Sequence, residues 1–153
     1  MFQSNLLPEK MKIYQLVLDT NIILSGLRSK KGASYKLLNL LNDRRLQINI
    51  STTLIFEYEQ ILKREYKDLE LSLEDIDDII NAICAIANQH KIFYLWRPLA
   101  KDPNDDFLID LAIEAQADFI ISYNKKDLEP VEKFGILILT PKQFLQLIGE
   151  ITP

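Results

Sequence analysis

The chain has 153 residues, 48% of them hydrophobic and 26% charged, with a formal net charge of −4. That composition excludes a disordered or fibrous protein, and the length suits one domain that buries roughly two-thirds of its unfolded surface. The acidic balance excludes a protein that coats nucleic acid electrostatically, but not a nuclease, because a divalent cation in an acidic site reverses the local field.

The one cysteine, Cys84 in IINAICAIA, has no partner for an internal disulfide, so a reducing, cytoplasmic setting is expected. No apolar stretch reaches the ~18 residues of a membrane span, and MFQSNLLPEKMK lacks the apolar core of a secretory signal, so no membrane association is expected. Residues 1–12 read as an N-terminal tail and residues 13–150 as a single domain.

In chain order, Tyr14 to Leu18 reads as a buried strand that delivers Asp19 to its end, within VLDTNIILSG. Gly26 and Gly32 mark a loop, and Ala33 to Arg44 an amphipathic helix. Leu46, Ile48 and Ile50 alternate as a second strand, and the hydroxyls of Ser51, Thr52 and Thr53 cap a helix to about Tyr66. Ser72, followed by acids, opens a helix that continues to about Gln89. Ile92 to Trp96 reads as a third strand closed by Arg97-Pro98, before the turn-rich Lys101-Asp102-Pro103-Asn104-Asp105-Asp106. A helix from Asp105 to Ala115, a strand at Phe119 to Ile121, a strand at Ile136 to Leu139 and a helix from Thr140-Pro141 complete the chain. This alternation predicts an α/β fold: a three-layer α/β/α sandwich around a mainly parallel sheet of four to five strands.

In a parallel sheet all strand C-termini face one edge. Asp19, the Asp102/Asp105/Asp106 cluster, and Asn124 with Asp127 can therefore converge, with Glu57 reaching the same edge from its helix. Crowded carboxylates raise one another's pKa, and a divalent cation relieves the repulsion. With only His90 and Cys84 as nitrogen or sulfur donors, the set suits magnesium or manganese rather than zinc, and such an ion polarises a phosphodiester and activates water.

Four stretches in this order, VLDTNIILSG, STTLIFEYEQIL, DPNDDFLIDLA and ADFIISYNKKDL, resemble a PIN domain over about Ile13 to Leu145, and most of all the small bacterial PIN proteins classed as toxins of type II toxin–antitoxin pairs. The resemblance implies a magnesium- or manganese-dependent endoribonuclease acting on RNA, a small antitoxin protein as partner, and compatibility with a homodimer. Position by position it implies Asp19, Glu57 and Asp106 as metal-binding acids. Asn124 or Asp127 completes the catalytic set, with Asp127 the candidate fourth metal ligand. An amide at Asn124 is a weaker ligand for a hard cation than the aspartate many family members carry there. Thr20, Asn21 and Ser122 would steady the carboxylates, and Arg28, Lys30 and Lys31 would contact RNA phosphates.

Each of these residues also has an ordinary structural reading. Asp19 can be a helix cap. Glu57 and Glu59 flank the same apolar stripe, and only the resemblance chooses between them. Asp106, Asp110 and Glu114 lie on one helix stripe that is usually just the wet face, Asp105 or Asn104 can be only a cap, and Asp110 and Asp105 are the alternatives for Asp106's role. The competing function is a catalytically weak PIN-like module that binds RNA or protein. A phosphatase with an aspartyl nucleophile at Asp19 is disfavoured, since Asn21 stands where the second aspartate is needed.

Overall fold

The computed structural model describes residues 12–96, 100 and 102–153. Residues 1–11 of the expected tail, the Arg97-Pro98 stop and Lys101 lie outside these residues. Five strands, β1 (Tyr14–Leu18), β2 (Leu46–Ser51), β3 (Asn88–His90), β4 (Phe119–Ile121) and β5 (Leu137–Leu139), form one sheet in the order β3-β2-β1-β4-β5. Every neighbouring pair is parallel, so every strand ends at the same edge. Helices flank the sheet, and the α/β/α sandwich read from the alternation of elements is the fold observed.

Strand order reverses between β1 and β4. Successive strands run one way from β1 through β2 to β3, then the chain crosses back to β4 on the other side of β1. Right-handed crossovers place the connections of the two halves on opposite faces. On one face, α1 (Thr20–Arg28) packs on α2 (Ala33–Leu38) and α3 (Thr52–Glu65), while α3 also meets α4 (Leu73–Ile86). On the other, α5 (Asp106–Glu114) lies across β1 and β2. The short α6 (Lys125–Leu128) follows β4, and α7 (Pro141–Leu147) returns after β5 to pack on α2. Between the layers, Leu16, Val17, Leu18, Ile120 and Ile121 are sealed from solvent, as a strand covered on both faces must be.

Helix starts follow the sequence closely. The Ser51 hydroxyl accepts the Leu54 N–H at 3.2 Å, and both Ser72/Asp75 and Thr140/Gln143 form reciprocal capping boxes. Three readings are corrected. Gly26 lies inside a helix rather than in a loop; a Cβ there would stand 2.5 Å from Leu38 Cδ1, so glycine is what lets α1 and α2 approach closely. The helix from Ala33 ends at Leu38 instead of Arg44, the chain then tightening into turns such as Leu40 N–H to Leu37 C=O and Asp43 N–H to Leu40 C=O.

The third strand is Asn88–His90, not Ile92–Trp96. Polar side chains of β2 account for the shift. The Gln47 amide donates to the Ile86 carbonyl at 3.0 Å, and buried Asn49 bonds His90 Nε2 at 2.8 Å, which ends α4 early and fixes a polar edge strand beside β2. The apolar run Phe93 to Trp96 passes instead over the surface, with Trp96 edge-on to Phe134 at 5.0 Å between ring centres.

Candidate active site

The reversal of strand order opens a crevice at the C-terminal ends of β1 and β4, where doubly wound sheets bind ligands. Leu18 and Ile121 are register partners there, so the next residue on each strand, Asp19 and Ser122, meets the other. The Asp19 N–H donates to the Ile121 carbonyl at 3.0 Å, and the Ser122 hydroxyl donates to Asp19 Oδ2 at 2.7 Å. Ser122 Oγ in turn accepts the Asn124 N–H at 2.9 Å. Asp19 is 8% exposed, and burial raises its pKa; the Ser122 hydroxyl and the backbone amides of Thr20 and Asn21, at the start of α1, oppose that rise.

Helix α3 brings the second carboxylate. Tyr58, fully buried, donates its hydroxyl to the Leu18 carbonyl and so ties the first half of α3 to the end of β1. One residue earlier, Glu57 turns toward Asp19 and accepts a hydrogen bond from the Thr20 hydroxyl. Burial raises the Glu57 pKa, the Thr20 hydroxyl lowers it, and the charge of Asp19 raises it again. Asp19 and Glu57 also push the Tyr58 phenol further above its usual range, after burial, so this tyrosine stays protonated and remains a donor.

Two acids at the entry to α5 are placed differently. Asp105 ends a 3₁₀ turn, Pro103–Asp105, and its carboxylate is raised to about 6, first by burial and then by the charges of Asp19, Asp102, Asp127 and Glu57. Asp106 opens α5 with its carboxylate turned inward: it is 2% exposed and accepts the Ala100 N–H at 2.8 Å. Asp110, equally buried, accepts the Trp96 N–H at 2.8 Å. The Asp106/Asp110 stripe is thus not a wet face but a pair of clasps on the chain entering α5, while Asp105 feels the charges of Asp19, Asp102, Asp127 and Glu57.

The remaining candidates divide. Asp127, in α6, contributes to the field at Asp105, and Asn124 stands partly buried at the start of the same helix. Thr20 and Ser122 hold Glu57 and Asp19 respectively, whereas the Asn21 side chain is exposed and only its backbone amide supports Asp19. Arg28 is engaged elsewhere, in an ion pair with Glu65 at 2.6 Å. Lys30 and Lys31 line a groove beside α2 together with Lys36 and Lys142. Tyr58 was visible in the sequence only as one more apolar position.

The groups acting on Asp19, Glu57 and Asp105 are carboxylates, hydroxyls and amides, with no cation among the described residues. In donor type and in uncompensated charge this set fits a hard divalent ion. Among the described residues no three acidic, histidine or cysteine side chains already form a closed metal cage.

Comparison with known proteins agrees with this architecture. No curated protein matches the chain. Among solved structures, a chain of the crystal structure of VapBC2 from Rickettsia felis bound to a DNA fragment from their promoter superposes with a TM-score of 0.58 at 15% identity, covering 82% of this chain and 98% of that one. At that identity the likeness is one of fold. A family model described as PIN domain matches residues 15–126, most of the length, including Asp19, Glu57, Asp105, Asp106 and Asn124 and ending one residue before Asp127, and by that match the chain belongs to the PIN domain family.

Proposed function

We propose that this protein is a magnesium- or manganese-dependent endoribonuclease that hydrolyses RNA phosphodiesters and serves as the toxin of a toxin–antitoxin pair. The observation that supports the reading best is the gathering of Asp19, Glu57 and Asp105, with Asp127 nearby, at the strand-order reversal. The family contributes the nuclease chemistry. The fold shared with a component of VapBC2 from Rickettsia felis supports the toxin role and a small protein antitoxin as partner.

In this reading Asp19, Glu57 and Asp105 hold the ion, Asp105 taking the place first assigned to Asp106, with Asp127 as the fourth acid. When bound, the ion supplies Lewis-acid polarisation of the phosphodiester and an activated water. The protein's own contribution is positional. Ser122 and the α1 amides keep Asp19 aimed into the crevice, Thr20 fixes the Glu57 rotamer, and Tyr58 anchors α3 so that the first two carboxylates face each other.

The test is cleavage of a circular single-stranded RNA, which only an endonuclease can open, by protein stripped with chelator and then given manganese or magnesium. Asp19→Asn and Asp105→Asn should each abolish the metal-restored activity. Residual cleavage identical in the parent and Asp19→Asn would reject the nuclease reading and favour a binding module, the outcome to which the amide at Asn124 would then point.

A further inference from the structure

Tyr123 stands between two features of opposite charge. Its backbone neighbours belong to the acidic crevice: Ser122 donates to Asp19, and the Asn124 N–H donates back to Ser122. Its hydroxyl points the other way and bonds Ser34 Oγ at 2.8 Å; Ser34, 2% exposed, lies in the first turn of α2. The residue nevertheless remains 55% exposed. A tyrosine anchored at its hydroxyl by a buried serine, with its ring left open, is a fixed flat surface at the lip of the crevice.

Beyond the Tyr123–Ser34 link, the turn before α2 and the start of α7 enclose a groove of about 440 Å³. Lys30, Lys31, Lys36 and Lys142 line it, with no acidic residue among the lining side chains. Lys36 donates to the Glu150 carbonyl at 2.9 Å, and the Glu150 carboxylate faces Arg45 at 3.2 Å. Among the described residues Lys30, Lys31 and Lys142 form no ion pair. The groove lies on the side of the sheet edge where Asp19 emerges, because Lys142 follows β5 by three residues and the end of β5 pairs with Ile121.

We propose that Tyr123 and this groove form the seat for the single-stranded nucleic acid that leads into the carboxylate cluster. One base stacks on the Tyr123 ring, and the phosphates of the adjoining nucleotides lie along Lys30, Lys31 and Lys142. The inference rests on the nuclease reading for what happens next door, but the seat is defined by binding alone. An unpaired strand is the ligand because only unstacked bases offer a face to an isolated ring, while its backbone needs cations the acidic cluster does not supply. A chain of net charge −4 thereby keeps a local basic track.

The experiment measures binding of a labelled single-stranded RNA by fluorescence anisotropy, with the full chain carrying Asp19→Asn, in magnesium, over a range of salt concentrations; circular dichroism checks that each variant is folded. Tyr123→Ala should weaken binding about 5- to 150-fold, the effect of losing one stacked base, while Tyr123→Phe retains the ring and most of the affinity. Replacing Lys30, Lys31 and Lys142 together by glutamine should make the log–log salt dependence shallower by about two, from three lost phosphate contacts. A duplex of equal length should bind more weakly than the single strand.

Unchanged affinity in Tyr123→Ala, an equal loss in Tyr123→Phe, an unchanged salt slope in the lysine variant, equal binding of duplex, or no binding of the single strand would each overturn the seat. Failure here is separable from failure of the nuclease reading. Wild-type protein that binds with these dependences yet never cuts refutes the nuclease and leaves the seat standing. Protein that cuts while ignoring Tyr123 and the lysines does the reverse.

Discussion

Replacing Asp105 by asparagine should stabilise the metal-free protein at neutral pH while removing its response to metal. Asp105 has its pKa raised from 3.8 to about 6 in the fold. Between those values the native state binds more protons than the unfolded chain, so stability falls as pH rises from 3.8 to 6 and stays low above it. For a carboxylate sealed from water the shift corresponds to about 3 kcal/mol. Asp105 is only partly buried, and solvent screening reduces this to about 1–1.5 kcal/mol. Asparagine keeps the shape and cannot ionise, so Asp105→Asn should raise the midpoint of thermal unfolding by about 2–6 °C at pH 7.5 in chelator. At pH 4.5, nearer the unfolded-state value, the gain should be smaller. Adding magnesium or manganese at pH 7.5 should raise the midpoint of the wild type and leave the variant unmoved. Circular dichroism melts at the two pH values, with and without metal, suffice. A variant less stable than the wild type at pH 7.5, or a gain independent of pH, would refute the assignment of Asp105 to the shared field. An undiminished metal response would refute its role as a ligand.

The sequence showed the frame of this site better than its fittings. Asp19 and Ser122 were legible because each follows a short apolar strand, and parallel strands deliver their last residues to one edge whatever the loops do. Glu57 and Glu59 were indistinguishable by helical period. The fold separates them through groups remote in sequence, Glu57 meeting Thr20 while Glu59 pairs outward with Lys63 at 3.1 Å. Asp105 and Asp106 failed to separate for a different reason. A 3₁₀ turn precedes α5, and its tighter winding leaves Asp105 half-buried in the field of Asp19 and Glu57 while Asp106 is buried against the Ala100 N–H, a difference that a helical projection begun at Asp105 cannot register. The third strand was misplaced because apolar character favoured Ile92 to Trp96, whereas side-chain amides of Gln47 and Asn49 fixed a polar edge three residues long. Such bonds from side-chain amides to a backbone carbonyl and an imidazole leave no periodic trace in the sequence.

Three further changes probe how the site is held. Gly26→Ala should lower stability by about 1–3 kcal/mol in urea unfolding despite its better helix propensity, because the new methyl would meet Leu38 Cδ1 at 2.5 Å and the Ser34 carbonyl at 3.1 Å; a stabilised protein would show that α1 and α2 separate freely. Ser122→Ala should raise the Asp19 pKa further and move the acidic limb of the cleavage pH profile upward, with activity partly recovered in Ser122→Thr; an unmoved limb would show that the hydroxyl does not steady that carboxylate. Tyr58→Phe distinguishes anchoring from packing. The ring stays in its pocket and the apolar burial is retained, but the Leu18 carbonyl, sealed beneath α3, loses the donor that reaches it, which costs about 1–3 kcal/mol. Because that carbonyl belongs to the residue preceding Asp19, slack between α3 and β1 appears directly as slack between Glu57 and Asp19. The variant should therefore bind manganese more weakly, measured by calorimetry, at temperatures where it remains fully folded. Full metal affinity alongside reduced stability would mean that the carboxylate pair is held by the Thr20–Glu57 and Ser122–Asp19 bonds alone, and that Tyr58 serves the core rather than the site.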